Sequence, residues 1–176
     1  SFQASANRYA DTQPTVQPRP ASGLACISAS PSGNTPSARG SPGSIWAAGH
    51  TDDLVEVWLP LLIGMSPAAL IEKVNTHCLQ AASHPVFPRD EGRRIFSGLK
   101  QLDLVLGVAT NDAAASAHAT VTAFGLAGMF DLVLGYDSVA NPKPAGDPLL
   151  AFASHTGIEP RRVMMVGDNA HDMQCG

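Results

Sequence analysis

The chain has 176 residues, of which 44% are hydrophobic and 15% are charged, and its formal net charge is −4 at pH 7. This composition is typical of a globular protein, and an acidic balance without a run of Lys and Arg argues against binding to the nucleic-acid backbone. No stretch approaches the roughly 20 continuous apolar residues that cross a bilayer, so we expect neither a nucleic-acid partner nor a membrane partner.

The first part of the chain, residues 1–44, is rich in Ser, Pro, Ala, Gly and Gln. Such a segment is predicted to be disordered, because it cannot bury enough apolar surface to offset the entropy lost on ordering. One short apolar patch, Leu24–Ile27, could form a strand within it.

The three cysteines, Cys26, Cys78 and Cys175, have no metal-binding spacing and are odd in number, which indicates reduced thiols and a cytoplasmic protein.

Residues 45–85 are predicted to form a small helical region. Apolar side chains recur near helical spacing from Leu54 to Leu62, which predicts one helix. Ser66 and Pro67 are typical of a helix cap and first turn, and they predict a second helix that ends near Ala82. The segment 84–88 contains two prolines and should break the helical pattern.

Residues 86–176 are predicted to form an α/β domain. A third amphipathic helix around Phe96 comes first, and short apolar strands then alternate with helices. This order predicts a Rossmann-like parallel sheet with flanking helices. The expected elements are a strand over 104–109, a helix over 113–124 capped by Asn111 or Asp112, a strand over 130–134, a helix over 147–155 stopped by Gly157, and a strand over 162–166.

Polar residues follow two of these strands, Thr110-Asn111-Asp112 after the first and Gly167-Asp168 after the last. In parallel sheets of this kind the ligand lies beyond the carboxyl ends of the strands. Taken singly, Thr110 could simply cap a helix, Lys143 could be a solvated loop charge, and Gly167-Asp168 could be a turn.

Three segments in order make a more specific pattern: Val108-Ala109-Thr110-Asn111-Asp112, then Lys143-Pro144, then a GDxxxD run from Gly167 to Asp172. This pattern resembles the second, third and fourth motifs of haloacid-dehalogenase-like hydrolases, in the phosphoglycolate phosphatase-like branch. The resemblance covers roughly residues 86–176, and the helices at 52–83 stand where that branch has its helical cap. The implied fold is a Rossmann-like core with a small helical cap.

The resemblance implies magnesium-dependent hydrolysis of a small phosphorylated metabolite. Thr110, Asn111 and Lys143 would bind the phosphate, with Thr110 and Lys143 in catalytic roles, because a hydroxyl, a helix-start amide and an ammonium all suit phosphoryl oxygens. Asp168 and Asp172 would bind Mg²⁺, which prefers hard carboxylate oxygens. Asp172 could instead orient Lys143.

The chain departs from the family pattern in its first motif, since it contains no DxDGT-type run to supply a nucleophilic aspartate and an acid/base partner. Asp11 follows no apolar strand, and Asp52-Asp53 opens a helix. We therefore expect an incomplete, truncated core whose central strand is missing. A catalytically inactive module that binds phosphate and Mg²⁺, or a fragment without function, are the alternatives. None of these patterns predicts an oligomeric state or a substrate identity.

Overall fold

The computed structural model of the protein describes residues 49–83 and 89–176. The predictions for residues 1–44, including Leu24–Ile27 and Cys26, and the predicted break at 84–88 lie outside the described residues. The boundaries at residues 45, 85 and 86 remain predictions.

The helical region consists of helix α1 (Thr51–Trp58), a short 3-10 helix (Leu59–Leu61) and helix α2 (Pro67–Ala82). The predicted cap of α2 is confirmed, because Ser66 Oγ accepts a hydrogen bond from the Ala69 amide at 3.2 Å. The α-helical form of α1 ends before Pro60, which lacks an N–H and crowds the preceding turn. The two helices bury one apolar cluster, formed by Leu54, Val55, Leu70 and Val74.

Helix α3 (Arg89–Lys100) leads into the α/β part of the chain. Its buried residue Phe96 packs with Leu104, Leu106 and Leu126 in a second apolar cluster. The ring of Phe96 also meets the edge of the Phe130 ring, with centroids 5.1 Å apart. The amphipathic pattern predicted around Phe96 is therefore confirmed.

Two strands, β1 (Gly107–Ala109) and β2 (Leu132–Leu134), pair in parallel, with Val108 opposite Val133. Helix α4 (Ala114–Ala123) connects them, so this part is the predicted βαβ unit. Asp131 fixes where the pairing starts, since its amide donates to Leu106 O at 2.7 Å and its Oδ2 accepts from the Leu106 amide at 3.1 Å. The predicted α/β class with a parallel sheet is confirmed.

After β2 the chain forms a 3-10 helix (Tyr136–Ser138), helix α5 (Asp147–Thr156), a further 3-10 helix (Pro160–Arg162) and helix α6 (Ala170–Cys175). Gly157 ends α5 as predicted, in a left-handed conformation with φ 71° that suits glycine. A third apolar cluster joins α5 and α6 to β1, through Phe152, Met165, Cys175 and Ala109.

The predicted strand over 162–166 is wrong. Arg162 belongs to a 3-10 helix, and in the described part of the chain the sheet contains only β1 and β2. A strand exists only where another strand offers hydrogen bonds, whereas an apolar run only requires burial. Met165 and Val166 are buried, so the sequence pattern predicted their burial correctly and their pairing incorrectly.

Two further expectations concern membrane-spanning helices and the cysteines. Within residues 49–83 and 89–176, no helix is long and apolar enough to cross a membrane. Cys78 and Cys175 both carry free thiols, as the sequence predicted for them.

Candidate active site

The loop after β1 places Thr110 at the carboxyl end of the strand pair. Thr110 is buried, and its amide continues the strand pairing by donating to Leu134 O at 3.0 Å. Its hydroxyl oxygen accepts a hydrogen bond from the Asp112 amide at 3.1 Å. This local turn holds the Thr110 side chain at the strand end.

The expectation that Asn111 or Asp112 caps the next helix is wrong. Ala113 is the N-cap residue of α4, and the Ala114 amide donates instead to Asp137 Oδ1 at 2.8 Å. Asp137 comes from the loop after β2, so a side chain distant in sequence satisfies the helix end. The side chains of Asn111 and Asp112 are therefore available for other contacts.

Lys143 and Asp172 form a buried ion pair, with 2.6 Å between Nζ and Oδ1 and side-chain exposures of 3% and 1%. The site thus joins the loop before α5 to helix α6. Asn111 Nδ2 donates to the Lys143 carbonyl at 3.1 Å, which links the same loop to the end of β1. The structure therefore brings Thr110, Asn111, Lys143 and Asp172 into one connected set.

Gly167 allows Asp172 to reach this position. A Cβ atom at residue 167 would overlap the Asp172 carboxyl group, so the backbone and the carboxylate are in close contact. Asp172 Oδ2 is buried and has no hydrogen-bond partner within the described residues. One oxygen of Asp172 is thus held by Lys143, and the other is covered by the chain at Gly167.

Asp112 is the site residue that sequence reasoning missed. Burial raises the pKa of its carboxyl from 3.8 to about 6, although the positive charge of Lys143 and the Thr110 hydroxyl both lower it. The available signal was its place directly after Thr110-Asn111 in the first motif segment, but from sequence alone Asp112 was assigned no role beyond a possible helix cap.

Asp168 takes no part in the buried ion pair. Its side chain is exposed, and within residues 49–83 and 89–176 it makes no hydrogen bond or ion pair. The described residues contain no group of three His, Cys, Asp or Glu side chains placed to hold a metal ion. Mg²⁺ needs only one or two protein carboxylates alongside waters and a substrate phosphate. The contact of Asp172 with Lys143 agrees with the alternative in which Asp172 orients that side chain, and the metal role of Asp168 remains a prediction.

Two proteins that resemble part of this chain in sequence are named as phosphatases. The chain is 45% identical over 75 residues to a protein of Dickeya dadantii (strain 3937) named probable phosphatase IndB, over 43% of this chain and 33% of that protein. It is 38% identical over 77 residues to phosphoglycolate phosphatase of Escherichia coli (strain K12), over 44% of this chain and 31% of that enzyme. The matched part thus spans about a third of the length of these relatives.

Solved structures show the same fold at lower identity. A predicted phosphoglycolate phosphatase from Haemophilus somnus 129pt superposes with a TM-score of 0.63 at 20% identity, covering 74% of this chain and 61% of that one. CbbY from Rhodobacter sphaeroides, solved in complex with phosphate, gives a TM-score of 0.59 at 17% identity, covering 72% and 60%. At these identities the likeness concerns the fold alone.

The family assignment rests on a longer match than the pairwise ones. Residues 48–176 match the family described as haloacid dehalogenase-like hydrolase. This range includes helices α1 and α2, the parallel strands, the loops that carry Thr110 and Lys143, and helix α6, which carries Asp172. The chain therefore belongs to the haloacid dehalogenase-like hydrolase family.

Proposed function

We propose that this chain carries the phosphate- and magnesium-binding part of a phosphomonoester hydrolase of the phosphoglycolate phosphatase type, acting on a small phosphorylated metabolite. The observation that carries the proposal is that Lys143 is buried and has hydrogen-bond donors without a partner among the described residues. Its ammonium has three N–H donors, and in the described part of the chain one of them is used, by Asp172. A buried cation with unused hydrogen-bond donors is suited to a phosphate dianion.

Each residue has a distinct role in this proposal. Lys143 neutralises charge on the phosphoryl oxygens. The Thr110 hydroxyl and the backbone N–H of Asn111 orient these oxygens. Asp172 keeps the Lys143 ammonium in place. Asp168 would hold Mg²⁺, whose contribution when bound is to neutralise charge that develops on the phosphoryl group.

The relatives named as phosphatases support this chemistry, and so does the family. The sequence contains no DxDGT-type run, so no residue of this chain is assigned as the nucleophile. This observation favours a second candidate function, a module that binds phosphate and Mg²⁺ without turnover.

Both functions are tested with four full-length proteins: the native sequence, Lys143→Met, Asp168→Ala and Glu72→Ala. Glu72 is an exposed acid on α2 and serves as the control. We expect inorganic phosphate to raise Tm, because a ligand stabilises the state that binds it. Mg²⁺ should increase the shift, Asp168→Ala should remove the part due to Mg²⁺, and Lys143→Met should remove the whole shift.

Hydrolysis of an aryl phosphate, measured in parallel, separates the two candidates. Turnover that needs Mg²⁺ and Asp168 supports the hydrolase. Phosphate binding without turnover supports the binding module. If phosphate changes the Tm of neither the native chain nor the control, both candidates are wrong.

A further inference from the structure

A cavity of about 320 Å³ lies against the face of β1 that carries Val108 and Thr110. This volume falls at the lower end of the range for small-molecule sites, roughly 300 to 1,000 Å³. Helices α3 and α4 and the chain that leads into β2 form its walls. Most of the lining is apolar. It includes three phenylalanines, Phe96, Phe124 and Phe130, together with Val108, Ala117 and Leu126.

The cavity meets the proposed phosphate site at Thr110. Thr110 and Asp112 both line it, and Thr110 is also the strand-end hydroxyl assigned to phosphate. A phosphate monoester bound at Thr110 therefore has an apolar space beside it, on the side of β1 that faces α3 and α4.

The charges that line this space are of one sign. In the described part of the chain two lining residues are ionisable, Glu91 and Asp112, and both are carboxylic acids. Since burial raises the pKa of Asp112 only to about 6, this group is mostly ionised at neutral pH. A second anionic group on the ligand would meet these carboxylates, and none of the lining residues that the structure describes is a cation, which is unfavourable in a partly buried space. Lys143 is near enough to lower the pKa of Asp112, but it pairs with Asp172 and is assigned to the phosphate.

We infer that this cavity receives the organic group of the phosphate ester and favours an uncharged apolar group of about one aromatic ring over a carboxylate-bearing group such as glycolate. The inference rests on the proposed function. It assigns a part of the substrate preference to α3 and α4.

The test compares three ligands on the full chain by isothermal titration calorimetry at neutral pH with Mg²⁺: inorganic phosphate, phosphoglycolate and phenyl phosphate. We expect phenyl phosphate to bind about tenfold more tightly than inorganic phosphate, because one ring leaves water. Phosphoglycolate should bind no more tightly than inorganic phosphate.

Two variants on α4 localise the effect. Ala117 is buried in the cavity wall, and Ala115 is exposed on the same helix. Ala117→Leu should fill the space, so phenyl phosphate loses its tenfold advantage while the affinity for inorganic phosphate is unchanged. Ala115→Leu should leave both affinities unchanged. Val121→Phe fills the same cavity from the next turn, and serves if Ala117→Leu does not fold.

The outcomes distinguish this inference from the proposed function. If inorganic phosphate binds but phenyl phosphate and phosphoglycolate bind equally well, the inference is wrong and the proposed function stands. An advantage for phenyl phosphate that persists in both Ala117→Leu and Val121→Phe also overturns the inference. If inorganic phosphate does not bind, the proposed function itself is wrong.

Discussion

Lys143 depends on Asp172 because its ammonium is almost completely removed from water. At 3% exposure the ammonium cannot be solvated, and the Asp172 carboxylate, at 1%, is in the same position. We expect Lys143→Met to lower the free energy of unfolding by about 3 kcal/mol, because it leaves a buried carboxylate without a counter-charge. Urea denaturation at pH 7 measures this loss.

The double variant Lys143→Met/Asp172→Asn is the informative partner for that measurement. It leaves no buried charge, so it should be more stable than Lys143→Met alone. The exposed pair of Arg161 and Glu159, 3.0 Å apart, provides the control. Arg161→Met should change stability by less than about 0.5 kcal/mol, and an equal loss in Lys143→Met would contradict the role given to the buried pair.

Asp112 makes stability depend on pH in the opposite sense to most carboxylates. Burial raises its pKa from 3.8 to about 6, so the native state binds the proton more tightly than the unfolded chain does. Ionisation of Asp112 therefore lowers the free energy of unfolding as pH rises through this interval. We expect Asp112→Asn to be more stable than the native sequence by about 2 to 3 kcal/mol at pH 7, with the gain disappearing below about pH 4.

Urea denaturation of the two proteins at several pH values measures this difference. Glu72→Gln, at an exposed position on α2, is the control and should show no such gain at any pH. A gain for Asp112→Asn that is the same at pH 4 and pH 7 would show that ionisation is not its cause.

Helix α5 stabilises the fold through one face. Phe152 is 2% exposed in the cluster that joins α5 to β1, whereas Leu150 on the same helix is 56% exposed. We expect Phe152→Ala to cost about 3 to 5 kcal/mol, because it leaves a cavity in the core. Leu150→Ala should cost less than about 1 kcal/mol. Chemical denaturation of both variants tests this, and similar losses would mean that α5 is not anchored by its Phe152 face.

Local signals predicted the elements best. Ser66 and Pro67 placed the start of α2, and Gly157 placed the end of α5, because caps depend on neighbouring residues. Pairing of the apolar run at 162–166 and capping of α4 by Asp137 both depend on residues far away in the sequence. No local pattern contains that information.

The candidate site shows the same contrast between features set by local sequence and features set by tertiary packing. The motif pattern selected Thr110, Asn111, Lys143, Asp168 and Asp172, and the structure brings all of these except Asp168 into one connected set. It did not indicate that Asp172 is buried against Gly167 while Asp168 is exposed, because burial is decided by how α6 packs. The raised pKa of Asp112 has the same origin, since it comes mainly from burial. The sequence thus selected residues that lie together, and tertiary packing determines their electrostatic state; their roles in binding remain predictions.

At the scale of the whole molecule, the helical region has its own apolar cluster but also contacts the α/β part. Helix α2 packs against α4. The rings of His50 and Tyr136 are stacked, with centroids 5.7 Å apart and an interplanar angle of 11°. Asn75 Nδ2 donates to the Tyr136 hydroxyl at 3.5 Å, and its Oδ1 accepts from Thr51 Oγ1 at 2.8 Å. Tyr136 therefore connects the loop after β2 to the start of α1 and to the middle of α2.

These contacts predict that both parts unfold together, and that Tyr136 is needed for this cooperativity. Trp46→Phe leaves Trp58 of α1 as the single tryptophan, so its fluorescence reports on the helical region while far-UV circular dichroism reports on the whole chain. In this background we expect the two urea transitions to coincide. Tyr136→Ala should separate them, with Trp58 responding at lower urea, whereas Tyr136→Phe keeps the stacked ring and should leave them coincident. Coincident transitions in Tyr136→Ala would mean that the packing of α2 on α4 is sufficient to couple the two parts.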